Sequence, residues 1–286
     1  VYIPILFELE KYLFTNNDIL DGFCIINFIS AIILLFYFLR HPLKYGKFYK
    51  AGSSKHEIND RIATSIINFI PIVIYCSYYL IYDGYSLTTL PSICFICIHL
   101  YRCTVYAFKI RSRYSTPWPL KTVIFMCIYK ACFAILAGHA YIIGEFTIGS
   151  NILYFLKILI VFITFALQFV SDMKLSKLRY FGERGYKVPS DKLFKYISCP
   201  NYLLEIIFWI TWGTMFDLDF CVIAMWLWLL PMLFGRAENT HKWYGKFFSN
   251  SYPKNRTSII PFLDISNVLK VIIGSMEYGW LDRKSV

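Results

Sequence analysis

Long apolar stretches separated by short polar segments dominate the chain. Seven of these stretches approach or reach the length of about 20 residues that a helix needs to cross a bilayer. The last two are short and barely separated. The pattern predicts an all-α, multi-pass membrane bundle of seven transmembrane helices, with spans at 22–39, 63–82, 87–108, 123–143, 152–170, 202–216 and 218–234.

The composition agrees with a membrane protein. Of the 286 residues, 57% are hydrophobic and 20% are aromatic, which is more apolar surface than a water-soluble domain can bury. No polar linker divides the chain, so we expect one membrane domain over 1–286, with an outside N-terminal segment at 1–21 and a C-terminal extension at 264–286. Because the chain begins at Val1 and not at a methionine, we expect it to be processed or incomplete.

Lysine and arginine residues are concentrated in alternate loops. Segments 40–61, 109–121, 172–200 and 235–286 contain six, four, seven and eight of them, whereas the segments on the other side contain only Lys11. Basic residues resist translocation, so these four loops are predicted to lie inside, with the N-terminus outside. The net charge of +11 then mostly reflects one basic face. Such a face can attract membrane lipid or a phosphorylated cofactor, and no nucleic-acid partner is expected.

A small set of polar side chains lies inside the spans or at their rims. Ionisable groups at membrane depth usually face a bundle interior or a wet cavity. Four of these residues lie near the inside ends of spans three, five and six and can line one pocket that opens to the inside: Arg102, Asp172, Asn201 and Glu205. Alternatively, cations such as Arg102 and Lys157 extend to the interface or pair with carboxylates and lock helices together. The set is His99, Arg102, Lys130, His139, Lys157, Gln168, Asp172, Asn201 and Glu205.

The inside loops add arginine, tyrosine and histidine side chains. Guanidinium groups bind phosphate through two N–H groups and stack on flat rings, so this combination suits a phosphorylated, aromatic-ringed ligand such as a dinucleotide. No GxGxxG motif follows a strand pattern, which excludes a Rossmann fold as the binder. The ligand would have to enter the helix bundle. The residues are Arg111, Arg113, Arg179, Tyr186, Lys187, Arg236, His241 and Tyr244.

Two segments resemble a known family. The segments at 184–209, RGYKVPSDKLFKYISCPNYLLEIIFW, and at 235–263, GRAENTHKWYGKFFSNSYPKNRTSIIPFL, resemble the C-terminal half of the steroid 5α-reductase family of multi-pass, NADPH-dependent reductases. The block 184–263 carries the most specific similarity, and weaker similarity continues upstream to about residue 40. The segment at 113–125, RYSTPWPLKTVIF, is equally similar to the trans-2-enoyl-CoA reductase branch. Both branches reduce a carbon–carbon double bond conjugated to a carbonyl.

The resemblance implies that the bundle holds NADPH, which enters from the cytosolic face. Glu205 would then accept hydrogen bonds from the cofactor, with Asn201 four residues away on the same helix face. The alternative is that Asn201 caps span six and Glu205 pairs with Arg102 or Arg236. The cofactor-binding residues implied are Arg111, Arg113, Asp172, Arg179, Tyr186, Asn201, Glu205, Arg236, His241 and Tyr244.

The substrate-polarising positions depart from the family. The steroid branch uses a glutamate on the second span and a tyrosine on the third. Span two here contains no carboxylate, and the tyrosine position falls at His99, with Tyr101 two residues away. His99 or Tyr101 is therefore the expected catalytic donor to the substrate carbonyl. Leu204 stands where the family usually has glycine, and we expect its side chain to fill part of the cavity.

Three functions are compatible with these features. The first is NADPH-dependent reduction of a steroid-like enone or long-chain enoyl-CoA, and the second is a catalytically degraded relative that serves as a structural subunit of a larger membrane complex. The third is a polyprenol-type or unrelated lipid enzyme on the same scaffold. The resemblance implies the endoplasmic reticulum, whereas a subunit that had lost a presequence would suit the mitochondrial inner membrane. No metal site is predicted, because the CxxC at Cys94 and Cys97 lies within an apolar helix.

Overall fold

The computed structural model describes residues 18–81, 89–110, 116–143, 152–178, 186–190, 192–216 and 220–261. The helices in these ranges are α1 (Asp18–Arg40), α2 (Asp60–Ile81), α3 (Leu90–Tyr101), α4 (Leu120–Ile143), α5 (Ile152–Lys177), α6 (Pro200–Gly213) and α7 (Phe220–Phe248). A π-helical segment, Arg102–Ile110, continues α3. Two short strands, β1 (Glu57–Ile58) and β2 (Trp118–Pro119), pair antiparallel. The predicted all-α bundle is confirmed.

Six helices in the described part are long and apolar enough to cross a membrane. The exception is α6, whose 14 residues extend for about 21 Å, which is short of the roughly 30 Å hydrocarbon core. Its Trp209 and Trp212 side chains are nevertheless fully buried among the other helices. The chain is therefore an integral, multi-pass membrane protein in which α6 is a short seventh helix.

The last helix extends well beyond its predicted end. The apolar pattern ended span seven at residue 234, but α7 continues to Phe248. Past the apolar stretch, Ala237, Thr240 and Tyr244 recur at helical spacing and are buried, so packing of one face maintains the helix after its other faces become polar. Consequently Arg236, His241 and Tyr244 lie on a helix, and the prediction that they lie in a loop is wrong.

The helix α7 lies at the centre of the bundle. It packs against α1, α4 and α6, and 67% of its apolar window is buried, compared with 17% for the lipid-facing α5. Tyr129 of α4 and Trp228 of α7 each donate a hydrogen bond to the other's backbone carbonyl, at 2.5 and 3.0 Å. A Cβ on Gly235 would lie 2.6 Å from Phe38 Cβ, so glycine permits the close approach of α7 to α1.

The basic loops meet at one end of the bundle. Lys47 from the loop between α1 and α2, Trp118 of β2, Ser198 before α6 and Tyr244 near the end of α7 all border one cavity. The segment after α7 also pairs with the segment before α6, since Ser198 donates its backbone N–H to the carbonyl of Thr257 at 2.9 Å. This arrangement agrees with the predicted grouping of the loops, whereas the side of the membrane on which they lie stays a prediction.

Candidate active site

A cavity of about 310 Å³ lies among the helices at this end of the bundle. Its volume is at the lower limit of the range typical of small-molecule sites, about 300–1,000 Å³. Helices α2, α4, α5, α6 and α7, the π-helical segment and the loop after α1 all contribute to its wall. The polar and charged residues in that wall are Tyr45, Lys47, Thr64, Asn68, Arg102, Tyr106, Thr116, Lys130, Asp172, Ser176, Tyr186, Ser198, Asn201, Tyr202, Glu205, Arg236, Thr240 and Tyr244.

An ion pair joins the π-helical segment to α6 in the cavity wall. Arg102 Nη2 donates to Glu205 Oε2 at 2.8 Å, and Gln168 Nε2 approaches the same oxygen at 3.5 Å. Glu205 is 4% exposed, so pairing removes the large cost of an isolated buried charge. The predicted alternative partner for Glu205 is thus present, yet Glu205 also lines the cavity.

Asn201 does not cap α6. The N-cap residue is Cys199, which makes no side-chain capping hydrogen bond, and Asn201 lies in the first turn after Pro200. Asn201 lines the cavity, as does Glu205 one helical turn later. The capping alternative is therefore wrong, and both side chains are available on the cavity face of α6.

Asp172 reaches the cavity from the last turns of α5. It is buried, and Tyr101 donates its hydroxyl to Asp172 Oδ2 at 3.2 Å. Tyr101 is not among the described residues that line the cavity. Tyr101 therefore hydrogen-bonds to a carboxylate of the cavity wall without lining the cavity itself. Its predicted catalytic role stays a prediction.

The π-helical segment places further side chains in the wall. Arg102, Tyr106 and Ile110 lie four residues apart and all line the cavity, and the Arg102 guanidinium carbon is 5.6 Å from the centre of the Tyr106 ring. Single π-helical turns within α-helices occur frequently at functional sites. The hydrophobic pattern contained no signal for this segment.

Two cations at the loop end of the cavity stack on aromatic rings. The Arg236 guanidinium carbon lies 3.9 Å from the centre of the Tyr45 ring and 4.5 Å from that of Phe48. Lys47 Nζ lies 4.4 Å from the centre of the Tyr244 ring. Cation–π contacts of this kind hold the charges in place without neutralising them. We call these four residues, Tyr45, Lys47, Arg236 and Tyr244, the cavity mouth.

The mouth cations have no acidic partner in the described part of the chain. Neither Lys47 nor Arg236 forms an ion pair there, and Arg236 directs two N–H groups to the backbone carbonyls of Leu43 and Tyr45 instead. The pKa of Lys47 is lowered to about 7, mainly by burial; Cys199 acts to raise this pKa, and the nearby Arg236 charge acts to lower it. The mouth is thus a cationic site that suits an anionic ligand.

The structure brings together most of the predicted cofactor residues that it describes. Arg111, Arg113 and Arg179 lie outside the described residues. His241 is not among the described wall residues, and its Nδ1 lies 2.7 Å from Ser198 Oγ, so it supports a cavity residue. The predicted residues that do line the cavity are Asp172, Tyr186, Asn201, Glu205, Arg236 and Tyr244.

His99 is enclosed away from the cavity. Its Nδ1 lies 3.0 Å from the carbonyl of Phe95, and its ring packs against Phe95, Phe133 and Trp209 with centroids 4.5 to 6.4 Å apart. The side chain is 1% exposed and is absent from the described cavity wall. This packing does not favour the predicted catalytic role of His99.

The structure also differs from the sequence prediction in which other side chains line the cavity. Leu204 is buried but is not among the described wall residues, so the prediction that it fills the cavity is wrong. Its neighbours Tyr202 and Glu205 lie on the cavity face of α6 instead. Conversely, Lys47 and Lys130 line the cavity although neither was assigned to the site. The sequence signal for Lys47 was the basic segment KYGK, and the signal for Lys130 was an isolated lysine within an apolar span.

Comparison with known proteins identifies the family. Residues 116–263 match the family model of 3-oxo-5-alpha-steroid 4-dehydrogenase, which is more than half of the 286 residues. The chain therefore belongs to this family. The matched region contains α4 to α7, whereas α2 and α3 precede it.

Individual relatives each match only part of this chain and part of their own length. Steroid 5-alpha-reductase DET2 of Arabidopsis thaliana is 38% identical over 106 residues, which is 37% of this chain and 40% of the relative. The 3-oxo-5-alpha-steroid 4-dehydrogenase 2 of Homo sapiens is 30% identical over 171 residues, covering 58% of this chain and 65% of the relative. The very-long-chain enoyl-CoA reductase of Dictyostelium discoideum is 34% identical over 103 residues, covering 34% of this chain and 32% of the relative.

Proposed function

We propose that this protein binds NADPH in the cavity and reduces a carbon–carbon double bond conjugated to a carbonyl in a lipid substrate. The substrate class is a steroid-like enone or a long-chain enoyl-CoA, in keeping with relatives named as steroid 5-alpha-reductases and as an enoyl-CoA reductase. In the overall reaction the unsaturated carbonyl compound, NADPH and a proton give the saturated carbonyl compound and NADP⁺.

The cationic cavity mouth is the observation that carries the proposal. Lys47 and Arg236 contact ring faces but no carboxylate within the described residues, so they can bind the phosphates of a dinucleotide. Deeper in the cavity, Asn201 and Glu205 offer an amide and a carboxylate that match a carboxamide and ribose hydroxyls. These residues fit NADPH, which when bound supplies a hydride.

The apolar side chains of the remaining wall suit a lipid substrate. The apolar side chains Ile67, Ile110 and Met126 line the same cavity as the charged residues. Hydrophobic walls with a few well-placed polar groups are typical of small-molecule sites. The family resemblance favours the endoplasmic reticulum as the membrane in which the protein works.

A second function, as a structural subunit of a membrane complex that has lost catalysis, is favoured by two observations. The predicted catalytic donor His99 is enclosed by aromatic rings, and α2 contains no carboxylate apart from Asp60 at its first residue. Such a subunit would keep the cofactor residues without turning over a substrate.

Binding and turnover in the purified full chain distinguish the two functions. NADPH binding is measured by its fluorescence, and turnover by NADPH oxidation with testosterone and with trans-2-hexadecenoyl-CoA, followed by mass spectrometry of the product. We expect binding together with a product two hydrogens heavier than the substrate. Binding without oxidation, combined with stoichiometric co-purification with other membrane proteins, would support the structural subunit. Absence of NADPH binding would contradict the proposed enzyme.

A further inference from the structure

Lys130 presents a buried cation to the cavity. It lies within the apolar helix α4, is 6% exposed and lines the cavity. Its Nζ lies 5.6 Å from the centre of the Phe133 ring. Within the described ranges, the ammonium group makes no hydrogen bond and no ion pair. An ammonium at membrane depth is costly unless it has a partner or a function.

Glu205, a carboxylate of the cavity wall, is already paired with Arg102. Glu205 acts electrostatically on Lys130, but its Oε2 accepts from Arg102 at 2.8 Å and faces Gln168 at 3.5 Å. Arg102 thus uses the available acidic partner, and its own positive charge also acts on Lys130. Among the cavity cations on the membrane-spanning helices, Lys130 therefore has a charge that a bound ligand can balance.

The wall formed by α2 adds neutral polar groups to the same cavity. Thr64 and Asn68 lie one turn apart on α2, which packs against α4, and both line the cavity. Thr64 Oγ1 is buried without a hydrogen-bond partner in the described structure, whereas Asn68 Nδ2 donates to the Thr64 carbonyl at 2.8 Å. With Ile67 between them, this wall suits an apolar molecule that ends in a polar oxygen.

We propose that Lys130 is a catalytic residue that donates a hydrogen bond to the substrate carbonyl oxygen, with Thr64 Oγ1 as a second donor. The inference rests on the proposed function. It assigns the hydrogen-bond donor that polarises the substrate carbonyl, a role for which α2 has no carboxylate beyond its first residue and for which the packing of His99 is unfavourable. As hydride from the nicotinamide adds to the β-carbon, the double-bond electrons move onto the carbonyl oxygen. The ammonium stabilises this enolate oxygen and keeps its own proton. The α-carbon then takes a proton from water, and the carbonyl re-forms.

Substitution of Lys130 tests the catalytic part of the inference. In Lys130→Met the stem remains but the charge is lost, so we expect turnover to fall about 10²- to 10³-fold, as when one oxyanion donor is removed, with an unchanged Kd for NADPH. Lys130→Arg should restore part of the turnover. Lys157→Met is the matched control, because Lys157 is also a membrane-embedded lysine but donates to the Thr214 carbonyl away from the described cavity wall.

A spectroscopic measurement tests the contact without turnover. The carbonyl stretch of ¹³C-labelled testosterone or trans-2-hexadecenoyl-CoA, bound with NADP⁺, should lie at lower frequency in the wild type than in Lys130→Met, because a hydrogen bond from a cation weakens the C=O bond. If Lys130→Met does not fold, as judged by NADPH binding, Lys130→Arg and Lys130→Gln allow the same comparison.

The outcomes separate this inference from the proposed function. A frequency shift that depends on Lys130, in a protein that reduces neither molecule, would support the Lys130 contact and contradict the proposed reaction. Turnover and carbonyl frequency that are both unchanged in Lys130→Met would overturn the Lys130 inference and leave the reaction standing. Failure of both molecules to bind would contradict both.

Discussion

The cavity mouth and the cavity interior hold their cations in different ways. At the mouth, Lys47 and Arg236 rest on ring faces and have no ion-pair partner among the described residues. In the interior, Arg102 is paired with Glu205 at 2.8 Å. Ring faces position a cation and leave its charge unneutralised, whereas a carboxylate neutralises it. The mouth is thus suited to an incoming anion, and the interior pair mainly stabilises the bundle.

Lys130 combines features of both regions. It is buried within the membrane-spanning helix α4, yet like the mouth cations it forms no ion pair among the described residues. The family match begins at residue 116, so Lys130 and the mouth residue Arg236 lie inside the matched region, while Thr64 and Asn68 on α2 lie outside it. The wall that we assign to the substrate carbonyl is therefore partly built from residues outside the matched region.

The largest effect is expected from breaking the interior pair. Glu205→Ala leaves the partly buried Arg102 guanidinium without its carboxylate, so the free energy of unfolding should fall by about 3 kcal/mol, the lower end of the range for a buried pair. The measurement is denaturation of the purified protein in mild detergent, followed by helical circular dichroism.

A double variant serves as the control for this prediction. Arg102→Met combined with Glu205→Met removes both charges, and we expect it to recover most of the lost stability, because no isolated charge remains. A double variant as unstable as Glu205→Ala alone would show that the unpaired Arg102 charge is not the cause of the lost stability.

A smaller effect, on binding, is expected at the mouth. Arg236→Ala removes a charge-assisted phosphate partner, which should weaken NADPH binding by about 1.5–3 kcal/mol, or roughly 10- to 150-fold. Its effect on the free energy of unfolding should be smaller than that of Glu205→Ala. The matched control is Lys44→Ala, since Lys44 is exposed in the neighbouring loop and is not in the cavity wall. Equal NADPH affinity in Arg236→Ala and Lys44→Ala would remove Arg236 from the cofactor site.

The smallest effect is a pH dependence that arises from Lys47. Burial lowers its pKa from 10.5 to about 7, so in the unliganded protein the ammonium form is lost as the pH rises through 7. Because phosphate binding is strongest with that form, NADPH affinity should fall above pH 7 and level off after a total loss of about tenfold, the lower end of the range for losing one charge-assisted partner. A titration of Kd between pH 6.5 and 9 measures this slope.

Lys47→Arg sharpens the test. Arginine stays charged throughout this range, so the variant should show a flatter dependence of Kd on pH, and a slope equal to that of the wild type would exclude Lys47 as the source. The effect of this pKa on folding stability has the opposite sign from its effect on NADPH affinity. Between pH 7 and 10.5 the unfolded Lys47 binds a proton that the folded residue does not, so this residue favours the folded state increasingly as the pH rises.

The sequence determined the helices and the grouping of the loops. Apolar stretches of membrane length predict helices without knowledge of packing, because each backbone polar group in lipid must be satisfied within its own helix. The family resemblance of the block 184–263 likewise predicted that Asn201, Glu205, Arg236 and Tyr244 share one site, and all four line the cavity. The ends of α5 and α7 were harder to predict, since beyond the membrane a helix persists only where one face is packed.

Only the tertiary structure decided which buried ionisable side chains face the cavity. His99 and Lys130 both interrupt apolar helices, yet aromatic rings enclose one and the other lines the cavity. In a membrane bundle the lipid-facing and inward faces of a helix are both apolar, so hydrophobic periodicity does not reveal which way a single polar residue points. The direction depends on how α2, α3 and α4 rotate against one another, and that rotation is set by contacts between helices that are distant in the chain.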